Sequence, residues 1–341
     1  MPTGAGDEWP RTADQHPQKQ KWRRSRTLIV HLVRVGFSGA LFWIIVSRID
    51  IGDVKARMMQ LSFSAVLLVA FLMGLHVVLS VVRWRTIIAQ LDGNSSFRST
   101  FIATLIERFV NQAVPSPFIG DGARAVALIR NGEHARIAAY SIVLDRAFAV
   151  GGVFGLVTLA SPLSLSVFKS TGVNTTVWLI TALSLFAVTI LLLCPHAVWE
   201  RLRKLRLMHF PAGLAMTLRR LLLSPSVVPI VVGTSLVAQT LPVFSFLVIS
   251  YDLGIDLRLL DAFALVPVIM AASILPISIA GWGVRESAAV FLLGEVGLAA
   301  SDAVTLSVVF GLVNVATACL GGLVWLIMSK RSNGRNNPRI P

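Results

Sequence analysis

The chain has 341 residues, of which 55% are hydrophobic and only 14% charged, where a soluble domain carries about 25% charged residues. With a mean hydropathy of +0.74, this composition excludes a soluble enzyme, a disordered chain and a disulfide-stapled secreted domain, and defines an integral membrane protein. The net charge of +14, which in a soluble protein suggests nucleic acid, here reads as the positive-inside bias plus attraction to anionic headgroups. The two cysteines, Cys194 and Cys319, lie in apolar runs and form neither a disulfide framework nor a zinc site.

Residues 1–27 are polar and end in the basic cluster Lys19, Lys21, Arg23, Arg24 and Arg26. No short apolar stretch with a small-residue cleavage site follows, so they read as a disordered cytoplasmic tail rather than a signal peptide. Six apolar runs are long enough to span a bilayer, at about 28–47, 62–82, 137–161, 175–194, 226–250 and 303–329. Two further regions, about 98–130 and 259–298, are each interrupted near the middle by a Pro- and Gly-rich break that a continuous helix tolerates poorly. Residues 330–341 form a second cytoplasmic tail.

Lysine and arginine set the orientation. One set of segments carries 21 of them, from Arg11 to Arg26, at Arg83, Arg85 and Arg98, at Arg130 and Arg136, across 201–220 and from Lys330 onward. The opposite set carries five: Arg48, Lys55, Arg57, Lys169 and Arg258. The richer side is cytoplasmic, together with both termini. This assignment closes only if each broken region returns to the side it came from. The expected fold is therefore an all-α polytopic membrane protein with six full spans and two re-entrant helical hairpins.

The two breaks resemble one another. Pro115 to Arg124 and Pro276 to Arg285 both fit P-x4-G-x-G-x-R, with Gly120 and Gly122 in the first and Gly281 and Gly283 in the second. Each half then reads span, span, hairpin, span, over about 28–161 and 175–329, and the halves are related by inversion across the membrane. Inverted repeats with broken helices meeting near the midplane are a transporter architecture, with the breaks at the binding site. The competing reading is two kinked helices.

Five arginines remain at membrane depth: Arg34, Arg108, Arg124, Arg146 and Arg285. Glu107, Asp121, Asp145 and Glu286 accompany them. Ionisable groups there are costly and face a partner or a wet cavity. Sequence neighbours do not face each other on a helix, so pairing between segments is expected. Arg124 and Arg285 each follow a Gly-x-Gly break at the expected start of a half-helix, where free N–H groups and the helix dipole favour an anion. Together they suit a phosphate or carboxylate. The alternative is a pair of structural salt bridges, Arg124–Asp121 and Arg285–Glu286. Asp145, on one face of its span with Ser141, Phe148 and Gly152, orients an arginine, carries a proton or is a structural counter-ion. His31 and Arg34 snorkel near a helix end, and His76 and His196 read as packing or interfacial residues. The segment 196–224 reads as a basic amphipathic helix on the anionic inner leaflet, or else as a solvated connector. Gly151 and Gly155 suggest close helix approach. No P-loop, metal cluster or Ser/His/Asp arrangement is present in the sequence, and no cofactor is expected.

These motifs resemble the transmembrane region of lysylphosphatidylglycerol synthases, a family of flippase-like integral membrane proteins. The matching stretches are Arg83-Trp-Arg, Asn111 to Arg124, Leu144-Asp-Arg146, and Leu275 to Glu286, which is similar to the family's L-P-I-S-x-G-G-x-G-x-R-E. Ala280 stands where that pattern has a glycine, and Ile119 and Pro117 depart from the first motif. The likeness covers roughly residues 28–329. It implies a lipid-handling module without the cytosolic synthase domain, in a bacterial inner membrane. The expected partners are membrane lipids with an anionic headgroup and a separate lipid-modifying synthase, and no nucleic acid. The expected function is a flippase moving an anionic phospholipid or polyprenyl-phosphate lipid through Arg124, Arg285, Asp121, Asp145, Arg146, Glu286 and the four break glycines. The rival is a membrane enzyme, or an accessory subunit, in polyprenyl-glycan or aminoacyl-lipid synthesis.

Overall fold

The computed structural model describes residues 51–113, 117–167, 170–205, 207–274, 278 and 280–335. The expected N-terminal tail, the first span with His31 and Arg34, and Pro115 and Pro276 lie outside these residues. Twelve helices occur among the described residues: α1 (Ile51–Gln60), α2 (Phe63–Gln90), α3 (Phe97–Ala113), α4 (Pro117–Arg130), α5 (Ala135–Val167), α6 (Thr171–Leu193), α7 (His196–Lys204), α8 (His209–Leu222), α9 (Val228–Asp252), α10 (Leu259–Ser273), α11 (Val284–Gly294) and α12 (Ala300–Arg335). Five of them, α2, α5, α6, α9 and α12, are long and apolar enough to cross a membrane. The protein is an all-helical, multi-pass membrane protein. α12 continues through Arg335, beyond the span expected to end at 329.

Local chemistry places the helix ends. Ser62 caps α2 by accepting from the Ala65 N–H at 3.2 Å. Asp252, at the end of α9, accepts from the Ser62 N–H at 2.7 Å and its hydroxyl at 2.5 Å. Arg57 pairs with Asp302 at 2.5 Å, and the Ser170 N–H donates to Glu295 at 2.9 Å. These contacts gather the starts of α2 and α12, the ends of α9 and α11 and the α5–α6 turn at one end of the bundle. At the other end, the Asn94 N–H donates to Glu133 at 2.6 Å, Asn131 bonds Ser99, and Arg219 donates to the Leu192 carbonyl at 3.1 Å. Gly132, with φ of 93°, makes the left-handed turn that ends α4, a conformation open to glycine without a Cβ penalty. Each broken hairpin, α3–α4 and α10–α11, therefore starts and finishes at the same end.

Packing follows the same pairing. α2 lies along α9, α3 along α12, and α10 along α5. Each hairpin thus packs on the last span of the opposite half. The largest core joins Val69, Phe246, Leu265, Leu293 and Phe310 from five helices. A second core around Trp84, Ile88, Leu128 and Ile142 seats the first hairpin on α2 and α5. A third, around Ile87, Leu144 and Val231, ties in α8. Close approach depends on missing side chains. A Cβ on Gly152 would stand 2.9 Å from the Ser235 carbonyl oxygen, and one on Gly155 would meet Leu236 at 3.1 Å, whereas Gly151 meets nothing within 4 Å. The small-residue contact is thus Gly152 with Gly155, one position away from the expected pair, because residue 151 points off the α9 face. α6 exposes Leu179, Leu183, Phe186 and Leu193, an outer face suited to lipid tails.

Candidate functional site

The membrane-depth charges assemble mainly across helices. Asp145 lies ten residues into α5, about 15 Å from its start at 1.5 Å per residue, or roughly half a hydrocarbon core. It is 3% exposed and takes two arginines at once. Arg83 Nε donates to its Oδ1 at 2.8 Å, and Arg124 Nη1 donates to its Oδ2 at 2.9 Å. Arg83 also reaches Ser235 on α9 at 3.4 Å. The Arg124 guanidinium lies over Trp84, 3.6 Å from the ring centre, where a cation meets the negative π face. The Trp84 indole N–H is turned to Ser141 at 3.3 Å. Arg124 Nε and Nη2 are buried with no acceptor among the described residues.

Arg146, the next residue on α5, faces away from this group. Its Nε donates to both Asp121 oxygens at 3.1 Å, and its Nη2 to Asp121 at 2.9 Å and Glu107 at 2.7 Å. Glu107 also accepts from Asn111 Nδ2 at 2.6 Å. Arg146 therefore clamps the two arms of the first hairpin together. Gly120 makes this possible, because a Cβ there would stand 2.3 Å from Asn111 Oδ1 and 2.8 Å from the Glu107 carbonyl oxygen. Gly122 meets nothing within 4 Å.

The second motif is built differently. Gly281 and Gly283, with φ of 81° and 84°, form the turn into α11, and Ala280 also takes a left-handed φ of 50°. Glu286 caps that helix, accepting from the Gly283 N–H at 2.6 Å. Its other oxygen receives Arg285 Nη2 at 2.7 Å and Ser307 at 3.0 Å. Arg285 is 4% exposed, lies near the Trp282 and Phe310 rings, and fills space left by Gly311 on α12.

Several expectations need correction. Gly120 and Gly122 are not a break, since α4 starts at Pro117, where a proline fits the first helical turn. Arg124 is consequently eight residues into α4 and not at a half-helix start, while Arg285 is the second residue of α11. Arg124 pairs with Asp145 rather than Asp121, which belongs to Arg146. The Arg285–Glu286 pair, given above as the alternative, does form, because Glu286 folds back to cap the turn. Arg83, which charge counting assigns to the cytoplasmic end, is 3% exposed in the bundle.

A cavity of about 200 Å³ opens near the end of α3, lined by Arg108, Asn111 and Gln112 of α3, Ala280 ahead of α11, and Asn314 and Ala318 of α12. Neither Arg124 nor Arg285 lines it. Arg108 does, and it donates to His76 on α2. Arg108 makes no ion pair with a carboxylate among the described residues, whereas Arg83, Arg124, Arg146 and Arg285 all do. His76 and Arg108 are not among the expected site residues. Their signal was a polar stripe at His76, Ser80 and Arg83 on an otherwise apolar helix, and Arg108, Asn111 and Gln112 at i, i+3 and i+4 on the arm before a break.

Compared with known proteins, the sequence matches the family described as the lysylphosphatidylglycerol synthase TM region over residues 31–322, and the chain belongs to that family. A search of curated proteins finds no match.

Proposed function

We propose that this membrane protein is a lipid carrier that moves an anionic lipid between leaflets through the cavity between α3, α12 and Ala280. The carrying observation is that cavity, which brings the α3 arm of the first hairpin, Ala280 of the second motif and α12 around an arginine free of any carboxylate ion pair among the described residues. At about 200 Å³ it is smaller than a pocket for a drug-sized ligand, so it suits a headgroup whose tails stay in lipid. Reciprocal packing of α3 on α12 and α10 on α5 supports rocking of the halves around a shared site, as in inverted-repeat transporters. Family membership supports a lipid substrate. In this reading the carboxylates balance charge and perform no catalysis. Arg124 and Arg285 hold the hairpins, and Arg108 meets the phosphate. The Lys/Arg-rich end faces the cytoplasm of a bacterial inner membrane.

The test is translocation of fluorescent phosphatidylglycerol in proteoliposomes of phosphatidylcholine with the purified full chain, scored by loss of dithionite-accessible signal. The wild type is expected to move the lipid, and Arg108→Ala to slow movement at least tenfold. Movement no faster than in protein-free vesicles, or an undiminished rate in Arg108→Ala, overturns the proposal.

A further inference from the structure

His76 sits in the middle of α2, and Arg108 on α3 donates through Nη2 to its Nδ1. A guanidinium has only donors, so Nδ1 must offer a lone pair, and the ring is neutral with its proton on Nε2. Among the described residues, the other charged groups within reach of His76 are Arg83 on its own helix and Asp145 on α5. α9 and α12, the remaining helices packed on α2 among the described residues, carry charge only toward their ends, at Asp252 and at Asp302, Lys330, Arg331 and Arg335.

The charge balance around the first hairpin is one-sided. Arg83 and Arg124 share Asp145, and Arg146 holds Glu107 and Asp121. Among the described residues Arg108 is the fourth arginine, against three carboxylates, so the cluster they form carries one unbalanced positive charge. That charge is held on a neutral histidine, at the wall of the cavity. A half-buried cation at membrane depth is costly unless something anionic joins it.

We propose that the cavity is a proton-linked phosphate site, in which Arg108 grips the phosphate of an anionic ligand and His76 takes up one proton as the anion enters. Once the Arg108 N–H groups turn to phosphate oxygens, His76 Nδ1 loses its donor. Its lone pair then lies beside a new negative charge and binds a proton drawn from water. An N–H bond forms, no other covalent bond changes, and the net charge of the cluster stays at one positive. The amides of Asn111, Gln112 and Asn314 supply donors and acceptors for the rest of the headgroup. Protonated His76 no longer accepts from Arg108, so the bound state is held by the anion. Release of the anion returns the proton. The proposal rests on the carrier reading only for the ligand being a lipid.

The test is calorimetric titration of the full chain in maltoside detergent at about pH 7.5, in buffers of different ionisation enthalpy, whose slope counts protons. The ligands are dioctanoyl-phosphatidylglycerol and its deacylated headgroup, glycerophosphoglycerol. Both stay monoanions between pH 5 and 8, so any proton bound belongs to the protein, and histidine is the side chain that ordinarily titrates in that window. The wild type is expected to take up about one proton per ligand. His76→Gln keeps an acceptor for Arg108 and is expected to bind with an uptake near zero. Arg108→Ala is expected to weaken binding by about 10- to 100-fold, the loss of a charge-assisted contact. Zero uptake by the wild type from pH 5 to 8, an unchanged uptake in His76→Gln, or no binding of either ligand overturns the proposal. Equal affinity for the two ligands, with the proton count intact, supports the proton-linked site while removing the lipid from the carrier reading.

Discussion

Gly321 is where the structure makes its sharpest mechanical statement. It lies on α12, and a Cβ there would stand 2.0 Å from the Leu105 carbonyl oxygen and 2.6 Å from its carbonyl carbon, both backbone atoms of α3. A real contact needs more than 3 Å, so Gly321→Ala must push the two helices apart by about 1 Å locally. A backbone carbonyl inside a helix cannot swing away as a long side chain does. Gly322, next along, already packs against the Phe109 ring, where a Cβ would come within 2.7 Å. Overpacking of this kind costs about 1–3 kcal/mol, while alanine returns about 1 kcal/mol of helix propensity. The contact wins wherever the backbone resists, and a net loss of about 1 kcal/mol, at most about 2, is expected. For a large domain that lowers the unfolding midpoint by about 2–4 °C, and by at most about 8 °C. Because α3 and α12 supply most of the cavity wall, anion binding should weaken as well. The assay is the midpoint of heat-induced loss of the monodisperse detergent peak. Gly74→Ala is the control, since nothing lies within 4 Å of its Cβ position, and it should match or exceed the wild type. Equal midpoints for Gly321→Ala and Gly74→Ala would refute the reasoning.

Other perturbations probe the rest of the site. Asp145→Asn strips the shared counter-ion from Arg83 and Arg124 and should cost about 3–5 kcal/mol; a midpoint within 2 °C of the wild type would mean that the arginines find other partners. Ala280→Gly relieves a left-handed φ of 50° and should stabilise by up to about 1 kcal/mol, read from the same heating curves, with a fall in stability as the contrary result. Glu286→Ala removes both the helix cap and the Arg285 partner; it should destabilise more than Glu286→Gln, which keeps an acceptor, and identical losses would show that neither contact counts. In a background lacking Cys194 and Cys319, a cysteine at His134 should be labelled by an impermeant maleimide from the same side as one at Glu200 and the opposite side from one at Tyr251. Labelling of 134 and 251 from one side would break the hairpin geometry.

The amino-acid sequence by itself determined the class of protein, the positions of the spans and the two interruptions. Each follows from local quantities: apolar length, proline and glycine content, and the side on which lysine and arginine accumulate. Five of the six runs correspond to α2, α5, α6, α9 and α12, the first lying outside the described residues, and the interruptions separate α3 from α4 and α10 from α11. The motifs also carried enough information to identify the family. The tertiary structure decided which charges meet. Arg83 reads as an interfacial arginine because it follows an apolar run, yet Asp145, 62 residues away, draws it into the bundle. Two stretches matching one pattern, P-x4-G-x-G-x-R, fold differently because Pro117 starts α4 before its glycines, whereas left-handed Gly281 and Gly283 delay α11 until after theirs. The cavity residues Arg108 and Asn314 come together only through the α3–α12 contact. Helix formation depends on neighbours within a turn or two, whereas a binding site is assembled by packing between helices far apart in the chain.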